Sequence, residues 1–202
     1  MKAASRVGVA LLLYAMLAGC AGGSTGEAAA PVAATAPPDS PAGWAWVGSD
    51  DGRLWLSLPP WLQSFDTHGA IFANEPLVGE GLQLLAEGRV EPQPPVGEVE
   101  RWLTERVASP GAGRPTVERV DLPAGPAMRL HRRDRAGTPL AWELEAWAIG
   151  TPTGVAFLMV DGPPGAWEAR YEEVRRIATL LRVTPPPIMP DATANGWSSR
   201  TG

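Results

Sequence analysis

The chain has 202 residues and a formal charge of −5, with 22 prolines and 23 glycines, where average proteins hold roughly 12% Pro plus Gly. Hydrophobic residues at 45% and charged residues at 19% exclude wholesale disorder and leave room for one core of ordinary size. The acidic balance, greater still once Lys2 and Arg6 leave with an N-terminal leader, excludes the basic surface of a nucleic-acid binder.

Lys2 and Arg6 precede the apolar run 7–18, a charged start and a hydrophobic centre that predict a secretory signal over 1–19. The run is too short for a membrane span, which takes about 18 to 20 apolar residues. It ends in Leu17-Ala18-Gly19-Cys20, which resembles the lipobox of bacterial lipoproteins. The resemblance implies cleavage between Gly19 and Cys20, lipidation of Cys20 with palmitate among its acyl chains, and a membrane-anchored, extracytoplasmic protein. Cys20 is the only cysteine, so no intramolecular disulfide is available. Several acyl chains make such an anchor stable, because each buried methylene contributes about 0.8 kcal/mol and one chain alone is marginal.

All of 21–43 except Glu27, Val32 and Asp39 is Ala, Gly, Pro, Ser or Thr. With Cys20 this predicts a lipidated, flexible linker over 20–43, reaching about 25 Å as a random coil. A globular domain over 44–183 follows, holding every tryptophan except Trp197. Pro185, Pro186, Pro187 and Pro190 break any element beyond it, so 184–202 reads as a disordered tail.

Within the domain, 44–47 and 53–58 flank a Gly- and Asp-rich turn, and Leu54, Leu56 and Leu58 alternate with Trp55 and Ser57. That pattern predicts a hairpin. A short strand is expected over 70–73, and the leucines of 77–87 suggest a helix that Gly79 and Gly81 weaken. Val99, Trp102, Leu103 and Val107 recur at helical spacing opposite Glu98, Glu100, Arg101, Glu105 and Arg106, predicting a helix over 97–107. Strand patterns occupy 117–122, 127–133 and 140–149. A continuous apolar run, 155–160, reads as a strand buried on both faces. The short turns between them demand antiparallel pairing. Pro163 and Pro164 start a final helix with Trp167, Tyr171, Val174, Ala178 and Leu181 on one side. Its acids Glu168, Glu172 and Glu173 come early and its arginines late, as the helix dipole favours.

Three segments together resemble the PsbP-like class of small α/β (α+β) domains, which includes bacterial lipoproteins. They are Asp51-Gly52-Arg53-Leu54-Trp55-Leu56-Ser57-Leu58-Pro59-Pro60-Trp61, then Leu122-Pro123-Ala124-Gly125-Pro126-Ala127-Met128-Arg129-Leu130, and 154–160 with the helix ending Ile177-Ala178-Thr179-Leu180-Leu181-Arg182. The resemblance implies a mostly antiparallel sheet sandwiched by helices, used for docking to proteins rather than for catalysis. It brings no functional residue with it.

Searching for chemistry turns up little. There is no G-x-S-x-G elbow, and the lone thiol is assigned to lipid. A Walker loop needs a lysine, and Lys2 is the only one; the Gly-x-Gly pairs at 79 and 111 lack the third glycine of a dinucleotide fingerprint. Two distant histidines, His68 and His131, do not make a zinc site. Asp50 and Asp51 lack the later ligands of a calcium loop. No cofactor or metal is expected.

The constellation worth following lies on the hairpin 127–149. Alternation puts Glu143, Glu145 and Trp147 on one face of their strand, and matching the apolar faces sets Arg129 and His131 beside the glutamates. Two carboxylates about 7 Å apart are one requirement for glycoside hydrolysis. The simpler reading is a set of cross-strand ion pairs on an exposed face, each contributing well under 1 kcal/mol. Trp55, Trp61 and Trp147 have polar or turn neighbours and are the candidates for a binding surface. The expectation is a non-enzymatic, lipid-anchored envelope protein that docks a protein partner or helps assemble a membrane complex. The alternative is a glycan-binding module using exposed indoles, with a carboxylate-dependent hydrolase as a third reading.

Overall fold

The computed structural model describes residues 40–183 apart from His68, 77–80, Gly111 and Thr153, and apart from the side chains of Asp66, Thr67 and Val96. The leader, Gly19, Cys20, most of the linker, His68, the tail and Trp197 therefore lie outside the described residues.

The opening hairpin forms as its alternation predicts. Strands β1 (Ala45–Gly48) and β2 (Leu54–Leu58) pair antiparallel, and Leu54, Leu56 and Leu58 are buried. Ser49 closes the turn: its hydroxyl donates to Asp51 Oδ1 at 2.6 Å and accepts from the Leu54 amide at 3.1 Å. A two-residue strand at the far end of the domain, β10 (Arg182–Val183), joins β2 to complete a three-stranded sheet.

The main sheet has seven strands in the order β3-β4-β5-β9-β8-β7-β6. These are β3 (Gln63–Thr67), β4 (Ala70–Asn74), β5 (Gln83–Glu87), β6 (Thr116–Leu122), β7 (Gly125–Asp134), β8 (Trp142–Thr151) and β9 (Gly154–Gly162). Every pairing is antiparallel. The expected helix over 77–87 is corrected: residues 77–80 lie outside the described residues, and Gln83–Glu87 is a strand between β4 and β9. Leu84 and Ala86 are buried, two residues apart on the same face of that strand, a period of two that burial in a sheet rewards and helical leucine content does not reveal. Strand β3 escaped the reading because Gln63, Ser64 and Asp66 dilute its apolar content.

Two helices cover the sheet. A short 3₁₀ turn, Val96–Glu98, leads into α1 (Val99–Arg106), which packs against β7 and β8. Leu103, Val107 and Val90 meet Leu130, Leu144, Ala146, Ala148 and Phe157 there, and Trp102 stands edge-on to Phe157. On the opposite face α2 (Pro164–Leu180) packs against β2, β8 and β9. Its Trp167, Val174, Ile177 and Ala178 share a core with Leu54, Leu56, Leu58, Trp147, Ile149 and Leu158. Each fully buried Leu, Ile or Val contributes about 1.5–3 kcal/mol relative to exposure. Strand β9 is covered on both faces because Phe157 faces α1 while Leu158 faces α2.

Pro164 opens α2, where a missing N–H costs nothing. The first turn of this helix holds no acid and the last no base, so its charges sit inside the span and the expected gain from the dipole, which fades beyond the end turns, is largely forgone. Gly125 (φ +147°) lies so close to β8 that an added Cβ would stand 2.0 Å from the Gly150 carbonyl oxygen, so only glycine fits that turn. Among the described residues no helix is long and apolar enough to cross a membrane.

Candidate functional site

The register of β7 on β8 sets Arg129 against Trp147, His131 against Glu145 and Arg133 against Glu143. Alternation therefore gathers Arg129, His131, Glu143, Glu145 and Trp147 on one face, as the sequence pattern indicates. That face lies partly under α2, so the Arg129–Glu145 pair is interior, while the partners of Glu143, His131 and Arg133, keep 37% and 50% of their side chains exposed. Glu145 is 0% exposed and Glu143 5%. The indole Nε1 of Trp167 donates to the Glu143 carbonyl, and Arg129 Nη2 donates to the Tyr171 hydroxyl at 3.1 Å.

Arg129 is the hub of this layer. Its Nε donates to Glu145 Oε1 and its Nη1 to Glu118 on β6 at 2.5 Å. Burial disfavours the charged guanidinium, but the hydrogen bond and charge of Glu145, helped by Tyr171 and Glu118, outweigh it and raise the pKa. Arg129 is a permanent cation. A second knot surrounds Glu143, which is hydrogen-bonded to His131 Nε2 at 2.8 Å and accepts from Arg133 Nη2 at 2.8 Å. Glu145 Oε2 has no hydrogen-bond partner among the described residues; the nearby guanidinium compensates its charge.

The proposed tryptophans separate. Trp147 is 2% exposed and belongs to the core, so it offers no open ring, because the helix that its strand neighbours do not foretell closes over it. Trp55 is half-buried, stacked on Trp46 with centroids 6.1 Å apart and planes 12° from parallel, and its Nε1 donates to the Gly52 carbonyl. Trp61 donates to Glu173 on α2 and lies under the guanidinium of Arg170, 4.9 Å from its ring centroid. One face of each half-buried indole is thus occupied.

Beside the Arg129 layer an open cleft of about 800 Å³ runs between the C-terminal half of α2 and β6–β7. Val120 and Leu122 wall one side, Trp44 and Ala178 another, and Arg175, Arg176, Glu172 and Asp121 supply both signs of charge. Arg129 lines it as well, and Glu173, which also lines it, ties it to Trp61. Sequence reasoning did not single out Arg175, Arg176, Val120 or Leu122 as a site. The available signals were the adjacent arginines on the polar side of α2 and the i, i+2 spacing on β6. Among the described residues no group of three or more His, Cys, Asp or Glu side chains is arranged to hold a metal ion.

Seven antiparallel strands between two helices, with a small hairpin sheet beside the C-terminal helix, define an α+β fold that matches PsbP-like structures. The chain is similar in structure to cyanobacterial PsbP (CyanoP) from Synechocystis sp. PCC 6803, with a TM-score of 0.50 and 12% identity over 75% of this chain and 98% of that one. It is also similar to LpqN, involved in cell envelope biogenesis of Mycobacterium tuberculosis, with a TM-score of 0.50 and 13% identity over 70% of this chain and 91% of that one. What is shared at such identities is the fold. No protein-family model matches the chain, and no curated protein matches it in sequence.

Proposed function

We propose that this chain is a non-enzymatic lipoprotein of the cell envelope, anchored through Cys20 and facing away from the cytoplasm, whose domain docks a protein partner at the cleft between α2 and β6–β7. The observation that carries this reading is the burial of Glu143 and Glu145. An acid and base for hydrolysis must reach a substrate, and here both are roofed by α2 and tied to cations. What remains accessible is a surface of apolar walls and mixed charge, the composition of a protein-docking rim. The fold shared with LpqN, described as involved in cell envelope biogenesis, supports the envelope setting.

Crosslinking in intact envelopes followed by pull-down tests the proposal. A specific partner captured by the wild-type chain and lost with Arg175→Glu plus Arg176→Glu, with the circular dichroism unchanged, is the expected result. Turnover of a substrate by the purified protein, or a partner indifferent to those charges, would overturn it. The competing glycan-binding reading rests on Trp55 and Trp61, each half-buried with one ring face already in contact. Titration with cell-wall polysaccharide is expected to leave Trp fluorescence unchanged, and a saturable change abolished by Trp55→Ala or Trp61→Ala would favour sugar.

A further inference from the structure

Strand β6 ends the main sheet. It has β7 on one side and, among the described residues, no strand on the other. Along Thr116–Leu122, alternate N–H and C=O groups therefore turn away from β7. An open cleft lies on each face of this edge. On the α2 side is the cleft of about 800 Å³ walled by Val120 and Leu122. On the α1 side a second cleft, of about 710 Å³, is bordered by Arg119, Met128, Val99 and Glu100. Val120 and Asp121 border both.

We infer that the partner docks by strand addition: an extended, acidic segment of another protein pairs with β6 as an eighth strand of the sheet. The inference rests on the docking reading of the α2-side cleft and names what enters it. A row of open main-chain donors and acceptors is complementary to extended backbone, and the side chains of an added strand alternate, so every second one enters one cleft and the rest enter the other. Charge sets the chemistry on the α2 side. Arg129 is committed to Glu145, Glu118 and Tyr171, and Glu173 to Trp61 and Arg170. Arg175 and Arg176 are exposed, and neither has a carboxylate partner among the described residues; Arg175 lies over the Tyr171 ring. Alternation turns Asp121, with Arg119, toward Met128 and the α1 side. Glu172 is then the one uncommitted acid against two guanidinium groups on this wall among the described residues, and the unmatched cation selects a carboxylate. A second copy of this chain is the poorer occupant. Arg119 is the middle residue of β6, so two-fold pairing centred on the strand would set it against its own like charge.

The test uses the full chain carrying Cys20→Ser and two capped peptides, one alternating Glu with Val and one alternating Lys with Val. The Glu peptide should bind saturably and the Lys peptide should not. On binding, the β6 amides that face away from β7 should slow in hydrogen exchange by about tenfold or more. Arg175→Glu with Arg176→Glu should weaken binding by about tenfold or more at unchanged circular dichroism, since both side chains are exposed. N-methylation reads the geometry, because the amides of alternate residues in an extended chain point to opposite edges. Methylating either the Glu amides or the Val amides should abolish binding, and methylating the other set should spare it. No binding of the Glu peptide, unchanged exchange in β6, equal effects of the two methylated sets, or a dimer in the absence of peptide would each overturn the inference. If the partner captured from envelopes still depends on Arg175 and Arg176 while β6 exchange is unchanged, strand addition fails and docking at the cleft stands. A captured partner indifferent to both arginines sinks the docking reading itself.

Discussion

The indole Nε1 of Trp167 donates to the main-chain carbonyl of Glu143 at 2.8 Å, a buried hydrogen bond that joins the first turns of α2 to the start of β8. Trp167 is 1% exposed, so the side chain that fills the core also fixes where the helix lies over the Arg129–Glu145 layer. Trp167→Phe keeps most of the apolar volume and removes the donor. It should destabilise the domain by about 0.5–1.5 kcal/mol for the lost hydrogen bond, with a further cost for the small cavity. Urea denaturation reads this as a lower midpoint at constant slope; an unchanged midpoint would show that packing alone holds the helix.

The Arg129–Glu145 pair lends itself to a double-mutant cycle. Arg129→Met strands a carboxylate that is 0% exposed and should cost about 3–5 kcal/mol. Replacing both, Arg129→Met with Glu145→Met, removes the two desolvation penalties together and should recover most of that loss. A double variant no more stable than Arg129→Met would mean that the links of Arg129 to Tyr171 and Glu118, and not its charge balance with Glu145, carry the effect.

A pH dependence follows from Asp161 on β9. Burial pushes its carboxyl pKa up, against the hydrogen bond from Trp142 Nε1 at 2.9 Å and the charge of Arg132, which pull it down. A raised native pKa means that the folded state binds the proton more tightly than the unfolded state. Stability from this group is therefore full below the ordinary carboxylate pKa and falls as pH rises through the native value. Asp161→Asn can still accept from Trp142 and should remove that fall, leaving the variant at least as stable as wild type at neutral pH. Melting temperatures collected from pH 4 to 8 check it, and parallel curves for the two proteins would rule the effect out.

Lipidation at Cys20, part of the proposed function, predicts that metabolic labelling with a fatty-acid analogue marks the wild-type protein and not Cys20→Ala. The variant should also move from the membrane fraction to the soluble fraction. Labelling that persists without the thiol would place the anchor elsewhere.

Much of the architecture was legible because it is written in periods along the chain. The alternation of Leu54, Leu56 and Leu58, the helical recurrence of Trp102, Leu103 and Val107, and the apolar side of α2 each report one local geometry. The same alternation is enough to put Arg129 and His131 with Glu143, Glu145 and Trp147 on a common face. Where a period was short or diluted, reading failed. Gln83–Glu87 looked helical because leucine serves both structures, and its assignment as a strand depends on β4 and β9 lying on either side.

By itself, then, the order of residues determined the antiparallel hairpins, the two helices and the side of the β7–β8 ribbon on which its charges gather, because strand and helix periods are properties of neighbouring residues. Only the tertiary structure decided that α2 closes over that side, burying the Arg129–Glu145 pair and Glu143 and leaving Trp147 2% exposed at the floor of the cleft. It alone decided, too, that β6 ends the sheet between two clefts. Which face a helix covers depends on contacts between residues far apart in the chain, whose energies come from burial and complementary shape, and no local pattern encodes that choice.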